Sequence, residues 1–533
     1  MIPSDNAAFR NAIRTSLVFL VFLETISFLG HLYPAFSTAA FVIILAATAI
    51  VAVIDFDLAL LALLAELFIG SQGGYLVAYG AGGGGEISLR IGLFLVVSGI
   101  WNARAFVRTV RRGEERRKAK APFAAMNRAG LMAPFAALNL VVLYGLIRGL
   151  ALGNDFGTVF FDGNGYIFLG LMPIIVESLA APLTRDRLAG VFVAAATLSV
   201  AKALFVLYVF SHRLQTIAPD LYVWIRDTRV GEITRMVGDF YRVFFQSHLY
   251  AVALFWIALL HGAFAHSSGK CRRLSLALLV MAATGLLMGM SRSFWFGAVV
   301  SALAVAAVLL RFRASAAVWK RLIALAIGSA VLGGAVIVAV FSVPFPRKGA
   351  DISFAALFGD RAFSFISDDA AVSRWQLLPE LNKAIARHPL LGSGLGTTVT
   401  YVTKDPRLLE QNPTGAYTTY AFEWGYHDLV VKFGLLGTVV YLWFIVAVMR
   451  PLLRAVRSSA ASLAAPSNDE KTAQGALALG TVAAVIGMLA TNIFSPYLNH
   501  PLGLGMLMIA AALGIHGAFS SDGSSSLAPT KPA

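Results

Sequence analysis

Long apolar runs separated by short polar segments recur along most of the chain. A helix needs ~20 mostly apolar residues to cross the hydrocarbon core of a bilayer. About fourteen runs in this sequence are candidates. We therefore predict an all-α fold, a polytopic membrane helical bundle of about fourteen transmembrane helices with one large external loop. The predicted helices lie near residues 15–33, 38–54, 56–70, 88–103, 129–150, 166–183, 187–210, 247–265, 274–290, 294–310, 322–342, 429–449, 474–494 and 501–518.

Composition supports a lipid environment. Of the 533 residues, 58% are hydrophobic and only 13% are charged, with a mean hydropathy of +0.75. Soluble domains carry about 25% charged residues. The formal net charge of +15 raises the question of a nucleic-acid partner. The basic residues cluster in short loops between apolar runs, where they set topology and meet anionic headgroups, so membrane lipids are the predicted partner and nucleic acid is not.

The loop charges predict an orientation. Residues 104–128 hold nine Arg and Lys against two Glu, which places this loop in the cytoplasm by the positive-inside rule. The basic loops 266–273, 311–321 and 450–471 fall on the same side when the predicted helices are counted. Both ends are then cytoplasmic, the first helix is retained rather than cleaved, and residues 519–533 form a polar, disordered tail.

Two long segments fall on the opposite, external face, at about 211–246 and 343–428. The second is the largest predicted non-membrane piece, which suggests chemistry at the outer face of the membrane. Charged residues within the apolar runs default to functional hypotheses because they are costly in lipid. Glu177 and Lys202 lie at similar predicted depths on successive helices, and we interpret them as an interhelical ion pair; Glu24 and Glu66 are further charges of this kind.

The first candidate site is GMSRSFWFG, residues 289–297. Arg292 lies between two apolar runs whose combined length exceeds one span, so the chain is predicted to turn at Ser291–Arg292–Ser293. The turn places a guanidinium at the external boundary. It is either a functional cation or an arginine that reaches the headgroups by snorkelling.

The second candidate is SRWQLLPELNKAIARHPLLGSGLGT, residues 373–397. Residues 375–385 have the apolar spacing of an amphipathic helix, which His388–Pro389 ends. The glycines of GSGLG, residues 392–396, do not follow a strand and precede no helix, so they are not a dinucleotide fingerprint. They allow a tight turn or close backbone approach to a ligand.

The third candidate is EWGYHDLVVKFGLLG, residues 423–437. His427 precedes a predicted span and is either a proton acceptor or a helix-capping, interfacial residue. No His/Cys cluster has zinc spacing. Asp368–Asp369 is interpreted as a solvated acidic pair rather than a metal site.

Together these three elements resemble the bacterial O-antigen ligase and O-antigen polymerase superfamily over residues 274–450. The resemblance lies in SRS followed by Trp and Gly, in SRW leading into HPLLGSGLG, and in YHD followed by FGLLG. Upstream, ELFIGSQGGYLV and ISLRIGLF are similar to some members. The family usually has His-Asn where this chain has His427-Asp428.

The resemblance implies a fold like that of glycosyltransferases of the C type, in the bacterial inner membrane, with no cofactor and no metal. Such enzymes move a glycan from undecaprenyl diphosphate at the periplasmic face to lipid A–core, to a growing polysaccharide or to protein. It implies that Arg292 and Arg374 engage the diphosphate and that His427 is the catalytic histidine. Weaker substrate-binding roles follow for Arg90, His388 and Asp428.

The implied organisation is a membrane domain over residues 1–518, with residues 343–428 as a partly helical periplasmic lid over the active site. The rival interpretations are a transporter or flippase of lipid-linked glycans and an inactive scaffold. A transporter predicts charges near the midplane and pseudo-symmetry. The distinctive polar residues instead gather at one face, which favours an enzyme. Direct displacement from a lipid diphosphate would make that enzyme an inverting one, and the resemblance implies that it is metal-independent.

Overall fold

The computed structural model describes residues 7–71, 76–80, 86–111, 113–236, 240–264, 269–347, 359, 361, 369–403, 409, 412–465 and 470–516. The protein is mostly helical, at 78%. The helices up to the end of the long basic segment, residues 104–128, are α1 (Ala7–Leu32), α2 (Pro34–Ile54), α3 (Phe56–Ile69), α4 (Leu89–Val110) and α5 (Glu114–Arg128). The next are α6 (Met132–Ala151), α7 (Phe156–Gly163), a 3-10 helix (Asn164–Leu171), α8 (Met172–Ser178), α9 (Pro182–Ser211) and α10 (Ala218–Asp227).

The second half begins with the apolar helices α11 (His248–Phe264), α12 (Gly269–Met288), α13 (Arg292–Arg311) and α14 (Ala316–Phe341). It continues with α15 (Asp369–Arg387), α16 (Gly425–Ser458), α17 (Ala460–Ala464), α18 (Glu470–Thr491) and α19 (Pro501–Ile515). Three antiparallel two-stranded hairpins join helices in the described chain: β1 (Ala78–Tyr79) with β2 (Ile87–Ser88), β3 (Gly231–Arg235) with β4 (Tyr241–Phe245), and β5 (Val399–Val402) with β6 (Ala416–Thr419).

Every predicted span coincides with helical structure, and the amphipathic helix predicted over 375–385 lies within α15. Among the described residues, ten helices are long and apolar enough to cross a membrane, which makes this a multi-pass membrane protein. The number fourteen itself stays a prediction. The span predicted at 166–183 starts earlier, at Phe156, and changes to a 3-10 helix at Asn164, in a stretch rich in glycine.

The core of the bundle lies around α11, α18 and α19, which pack on one another and on α9 and α16. The most apolar stretch of α18 is 72% buried within the protein, whereas that of α14 is 17% buried. Because α14 is apolar on all sides, its uncovered faces suit lipid contact. Polar side chains cap several helices: Asp55 accepts from Leu58 N in α3 at 3.2 Å, and His500 accepts from Leu502 N in α19 at 3.1 Å.

The ion pair predicted between Glu177 and Lys202 is wrong. Lys202 Nζ lies 2.8 Å from Glu24 Oε1, which joins α9 to α1. Glu177 instead lies 2.5 Å from Arg108 Nη1 and accepts from Trp101 Nε1 at 2.7 Å. Glu177 lies at the end of α8, whereas Lys202 lies far along α9, so the two charges are not at similar depths as predicted.

Candidate functional site

The turn predicted at Ser291–Arg292–Ser293 is present between α12 and α13, but it occupies residues 289–291, so that Arg292 and Ser293 begin α13. Arg292 is the first residue of α13 and is half-buried. Its two neighbours are held by hydroxyl contacts: Ser291 Oγ lies 3.0 Å from Ser293 Oγ, and Ser495 Oγ donates to Ser293 Oγ at 3.0 Å. Thr491 Oγ1 also donates to the carbonyl of Ser293 at 3.2 Å. The turn that carries Arg292 is therefore fixed to the connection between α18 and α19.

Close helix packing explains the glycine that ends SRSFWFG. A Cβ on Gly297 would lie 2.5 Å from the carbonyl oxygen of Gly487, so only glycine lets α13 approach α18 this closely. Trp295 Nε1 donates to the carbonyl of Leu286 at 3.2 Å, which ties the start of α13 back to α12.

Arg374 lies in the second turn of α15 and forms an ion pair through Nε with Glu423. Its carbonyl accepts a hydrogen bond from Trp424 Nε1 at 2.9 Å. The rings of Trp375 and Trp424 meet edge to face, 5.2 Å apart. These contacts attach α15 to the residues that immediately precede α16.

His427 lies in the first turn of α16 and is half-buried. Its ring lies 5.8 Å from that of Trp424, and the Trp424 ring also lies 5.5 Å from that of Phe494. Phe494 in turn contacts Phe296, 5.6 Å away, four residues after Arg292. The segments carrying Arg292, Arg374 and His427 are thus joined through Trp424 and Phe494.

A buried charge network lies one turn below His427. Lys432 is fully buried in α16; its Nζ lies 2.5 Å from Asp428 Oδ1 and also pairs with Asp162 of α7. Asn499 Nδ2 donates to Asp428 Oδ2 at 3.0 Å, and the backbone N–H of Gly396 donates to Asp162 Oδ2 at 2.8 Å. Both carboxylates are therefore compensated, as buried ions require.

This network accounts for the departure from the family's His-Asn. The added carboxylate of Asp428 is held by Lys432 and Asn499 on its two oxygens. Sequence reasoning missed Lys432 and Asp162 altogether. The available signal was Lys432 itself, a charge within an otherwise apolar run.

GSGLG makes close backbone contacts with the protein itself. Helix α16 breaks at Gly434, where φ is 69° and ψ is −178°. The N–H groups of Ser393 and Gly394 donate to the carbonyls of Val431 and Lys432 at 2.7 and 3.0 Å. The N–H groups after the break find carbonyls in HPLL: Leu435 donates to Pro389 at 2.9 Å and Leu436 to Leu390 at 3.2 Å.

The loop thus replaces the hydrogen bonds that the break removes, which is how a broken helix survives at membrane depth. On its other side the loop lies against α6: a Cβ on Gly149 would lie 2.2 Å from the carbonyl oxygen of Leu395. Asn154 Nδ2 donates to that same carbonyl at 2.8 Å.

The two remaining predicted residues lie in different settings. Arg90 is buried in α4 and makes paired hydrogen bonds to Glu66 at 2.8 and 2.9 Å, with a further one to the carbonyl of Ser71. These hydrogen bonds occupy the guanidinium of Arg90 and join α3 to α4. His388 is half-buried at the end of α15, and its carbonyl accepts from Gly392 N at 2.9 Å.

Two arginines near the SRS turn were missed by sequence reasoning. Arg242 in β4 is buried, and its Nε donates to the carbonyl of Gly289 at 2.9 Å. Arg361 Nε donates to the carbonyl of Met290 at 3.4 Å. No pattern in the sequence distinguishes either residue from the other basic residues of the long segments. Asp368 lies outside the described residues, and within them no group of three or more His, Cys, Asp or Glu residues could hold a metal.

These features define a helical multi-pass membrane protein, and its candidate site residues are arginines and a histidine near the ends of several helices. Residues 277–442 match the family model described as O-Antigen ligase. The match covers about a third of the chain, and it confirms the resemblance to the O-antigen ligase and polymerase superfamily that the three elements carry. No curated protein matches the chain.

Proposed function

We propose that this protein transfers a glycan from undecaprenyl diphosphate to an acceptor at the periplasmic face of the bacterial inner membrane. The observation that carries the proposal is the family match, because residues 277–442 include Arg292, Arg374 and His427. The contacts through Trp424 and Phe494, which join the segments bearing these residues, give it structural support. The acceptor is lipid A–core in a ligase or a growing polysaccharide in a polymerase.

In the proposed reaction the acceptor hydroxyl attacks the anomeric carbon, and undecaprenyl diphosphate leaves. Direct displacement inverts the anomeric centre. The barrier falls when the charge that develops on the leaving diphosphate is neutralised, and the planar fork of arginine suits phosphate oxygens. We assign that role to Arg292 and Arg374. One such electrostatic donor contributes about 3 kcal/mol in a water-poor site.

His427 is the proposed base for the acceptor hydroxyl. It is half-buried, and among the described residues its side chain has a ring contact with Trp424 and no hydrogen bond. Its imidazole is thus not committed to a partner in the described part of the chain. The arginine cations supply the positive charge that a divalent metal would otherwise bring, so no metal is required in this mechanism.

The test is transfer by purified protein, given a lipid-linked oligosaccharide and candidate acceptors, with products identified by mass. Arg292→Ala and Arg374→Ala should remove most activity, and the lysine variants should restore only part, since a point charge lacks the bidentate fork. Arg387→Ala, an exposed arginine at the other end of α15, is the matched control and should keep full activity.

Wild-type transfer by the Arg374→Ala protein would remove that residue from the site. Movement of the lipid-linked glycan across vesicles, with no new glycosidic bond for any acceptor, would instead favour the transporter interpretation.

A further inference from the structure

Arg242 is a buried arginine in β4, close to the turn of the β3–β4 hairpin, where it lies opposite Thr234. Its side chain is 11% exposed, whereas its carboxylate partner Glu232, 3.2 Å away, is 63% exposed. An exposed carboxylate is well screened by water and compensates a buried cation only weakly. The protein therefore holds a guanidinium out of water beside a partner that does not fully neutralise it.

The surroundings of Arg242 are also positive. Burial, the largest influence, lowers the pKa of Arg242; Glu232 raises it, and the charges of Arg361 and Arg374 lower it. Glu232 is paired with Arg242, and Glu423 with Arg374. Arg242 therefore lies within electrostatic range of two further guanidinium groups, those of Arg361 and Arg374.

Hydrogen bonds connect Arg242 and Arg361 to the turn that presents Arg292. Arg242 donates to the carbonyl of Gly289, and Arg361 donates to the carbonyl of Met290. Gly289 and Met290 are the two residues that precede the SRS sequence. Met290 has a positive φ of 41°, a conformation that a non-glycine residue adopts only when its surroundings impose it. Arg242 is thus placed to fix the course of the chain just before Arg292.

We propose that Arg242 is a positioning residue for an anion site that takes the diphosphate of a polyprenyl-linked donor. Its hydrogen bond to Gly289 orients the SRS turn, and its desolvated charge adds to the potential that attracts the diphosphate. This inference rests on the proposed function. It adds a residue from β4, outside the segment that matches the family.

The experiment measures binding of undecaprenyl diphosphate without a glycan to the full chain in detergent. Because this probe has no sugar to transfer, binding is read independently of transferase activity. Arg242→Gln should raise the dissociation constant by ~10-fold or more, which is the effect of losing one charge-assisted hydrogen bond. Arg242→Lys should recover part of the affinity. Arg226→Gln, an exposed arginine of the same external segment, is the matched control and should bind like wild type.

A second variant separates an electrostatic role from a structural one. Glu232→Gln keeps an oxygen acceptor for Arg242 but removes the opposing charge, so it should tighten diphosphate binding by ~3-fold. A purely structural ion pair predicts a lower unfolding temperature with unchanged affinity. Folded Arg242→Gln protein with wild-type affinity would overturn the inference, as would unchanged affinity in Glu232→Gln if the first variant fails to fold. Diphosphate binding that depends on Arg242, without transfer to any acceptor, would count against the proposed function alone.

Discussion

A Cβ atom on Gly392 would lie 2.5 Å from the backbone nitrogen of Gly434, so these two glycines are in direct backbone contact across the break in α16. Both have positive φ, 69° in each case. The contact brings the HPLLGSGLG segment into the place of a missing helical turn, immediately below the buried Lys432.

Gly392→Ala should destabilise the fold. A side chain at positive φ costs about 1–2 kcal/mol, and here the added carbon also meets backbone that cannot move aside. We expect a drop of several degrees in the unfolding temperature, measured by tryptophan fluorescence in detergent. Gly328→Ala in α14 is the control, because nothing lies within 4 Å of its added Cβ. Equal unfolding temperatures for the two variants would contradict the observed interlock.

Lys432→Met should be among the most damaging single changes in the protein. It leaves Asp162 and Asp428 buried without their shared cation, and breaking a buried pair costs about 3–5 kcal/mol. Asp428→Asn should be tolerated, since Lys432 keeps Asp162 and an amide oxygen still accepts from Asn499. The folded yield and unfolding temperature of the two variants measure the difference.

The exposed pair Lys383–Glu380 in α15 provides the control: Lys383→Met should leave stability unchanged. If Asp428→Asn proves as harmful as Lys432→Met, the negative charge of Asp428 is itself needed for stability, and Asp162 alone does not compensate the charge of Lys432.

His427→Ala should slow the chemical step by ~100-fold or more while donor affinity stays close to wild type, the pattern expected for a lost base. Single-turnover rates and donor binding, measured on the same preparation, separate the two effects. His31→Ala, at the end of α1, should leave both unchanged. An unimpaired His427→Ala enzyme would return this histidine to an interfacial role.

Residues 104–128 and 343–428 should lie on opposite sides of the membrane. Cysteines introduced in place of Lys120 and Lys383, in a Cys271→Ser background, test this with a membrane-impermeant thiol reagent on intact cells. Lys383 is 66% exposed and Lys120 is also exposed. Only the cysteine at 383 should react from outside; labelling of both would overturn the predicted orientation.

Transfer should continue in the presence of a divalent-metal chelator. The described residues contain no group of three or more metal-ligating side chains, and in the proposed mechanism Arg292 and Arg374 supply the positive charge. Activity lost with chelator and restored by magnesium or manganese would instead make Asp368 and Asp369 candidate ligands.

The helices were predictable because each span must carry its own run of apolar residues, whatever its neighbours. The ion pairs were less predictable, because their partners are far apart in sequence. Lys202 pairs with Glu24, 178 positions away, and Lys432 pairs with Asp162, 270 positions away. Periodicity carries no information about such partners. The break in α16 follows from Gly434 only once the loop that satisfies its backbone is known.

The candidate site residues also differ in how far the sequence alone could predict them. Arg292 and His427 were predicted because each lies beside a predicted span, and Arg374 because the resemblance implies it. Arg242 lies in a hairpin with no such signal, and its importance is visible only through its hydrogen bond to Gly289. Chemistry that depends on tertiary contacts between distant loops is the part that one sequence does not specify.

The interlock at Gly434 also limits how the protein can be recombined. Residues 389–395 are hydrogen-bonded to α16 and α6, so they belong to the bundle although they are continuous with the segment predicted to be external. A chimera that borrows a relative's external loop to change its acceptor should therefore rejoin this chain before His388. A junction placed at the start of α16 would put a foreign segment, in place of residues 389–395, against the break in this helix.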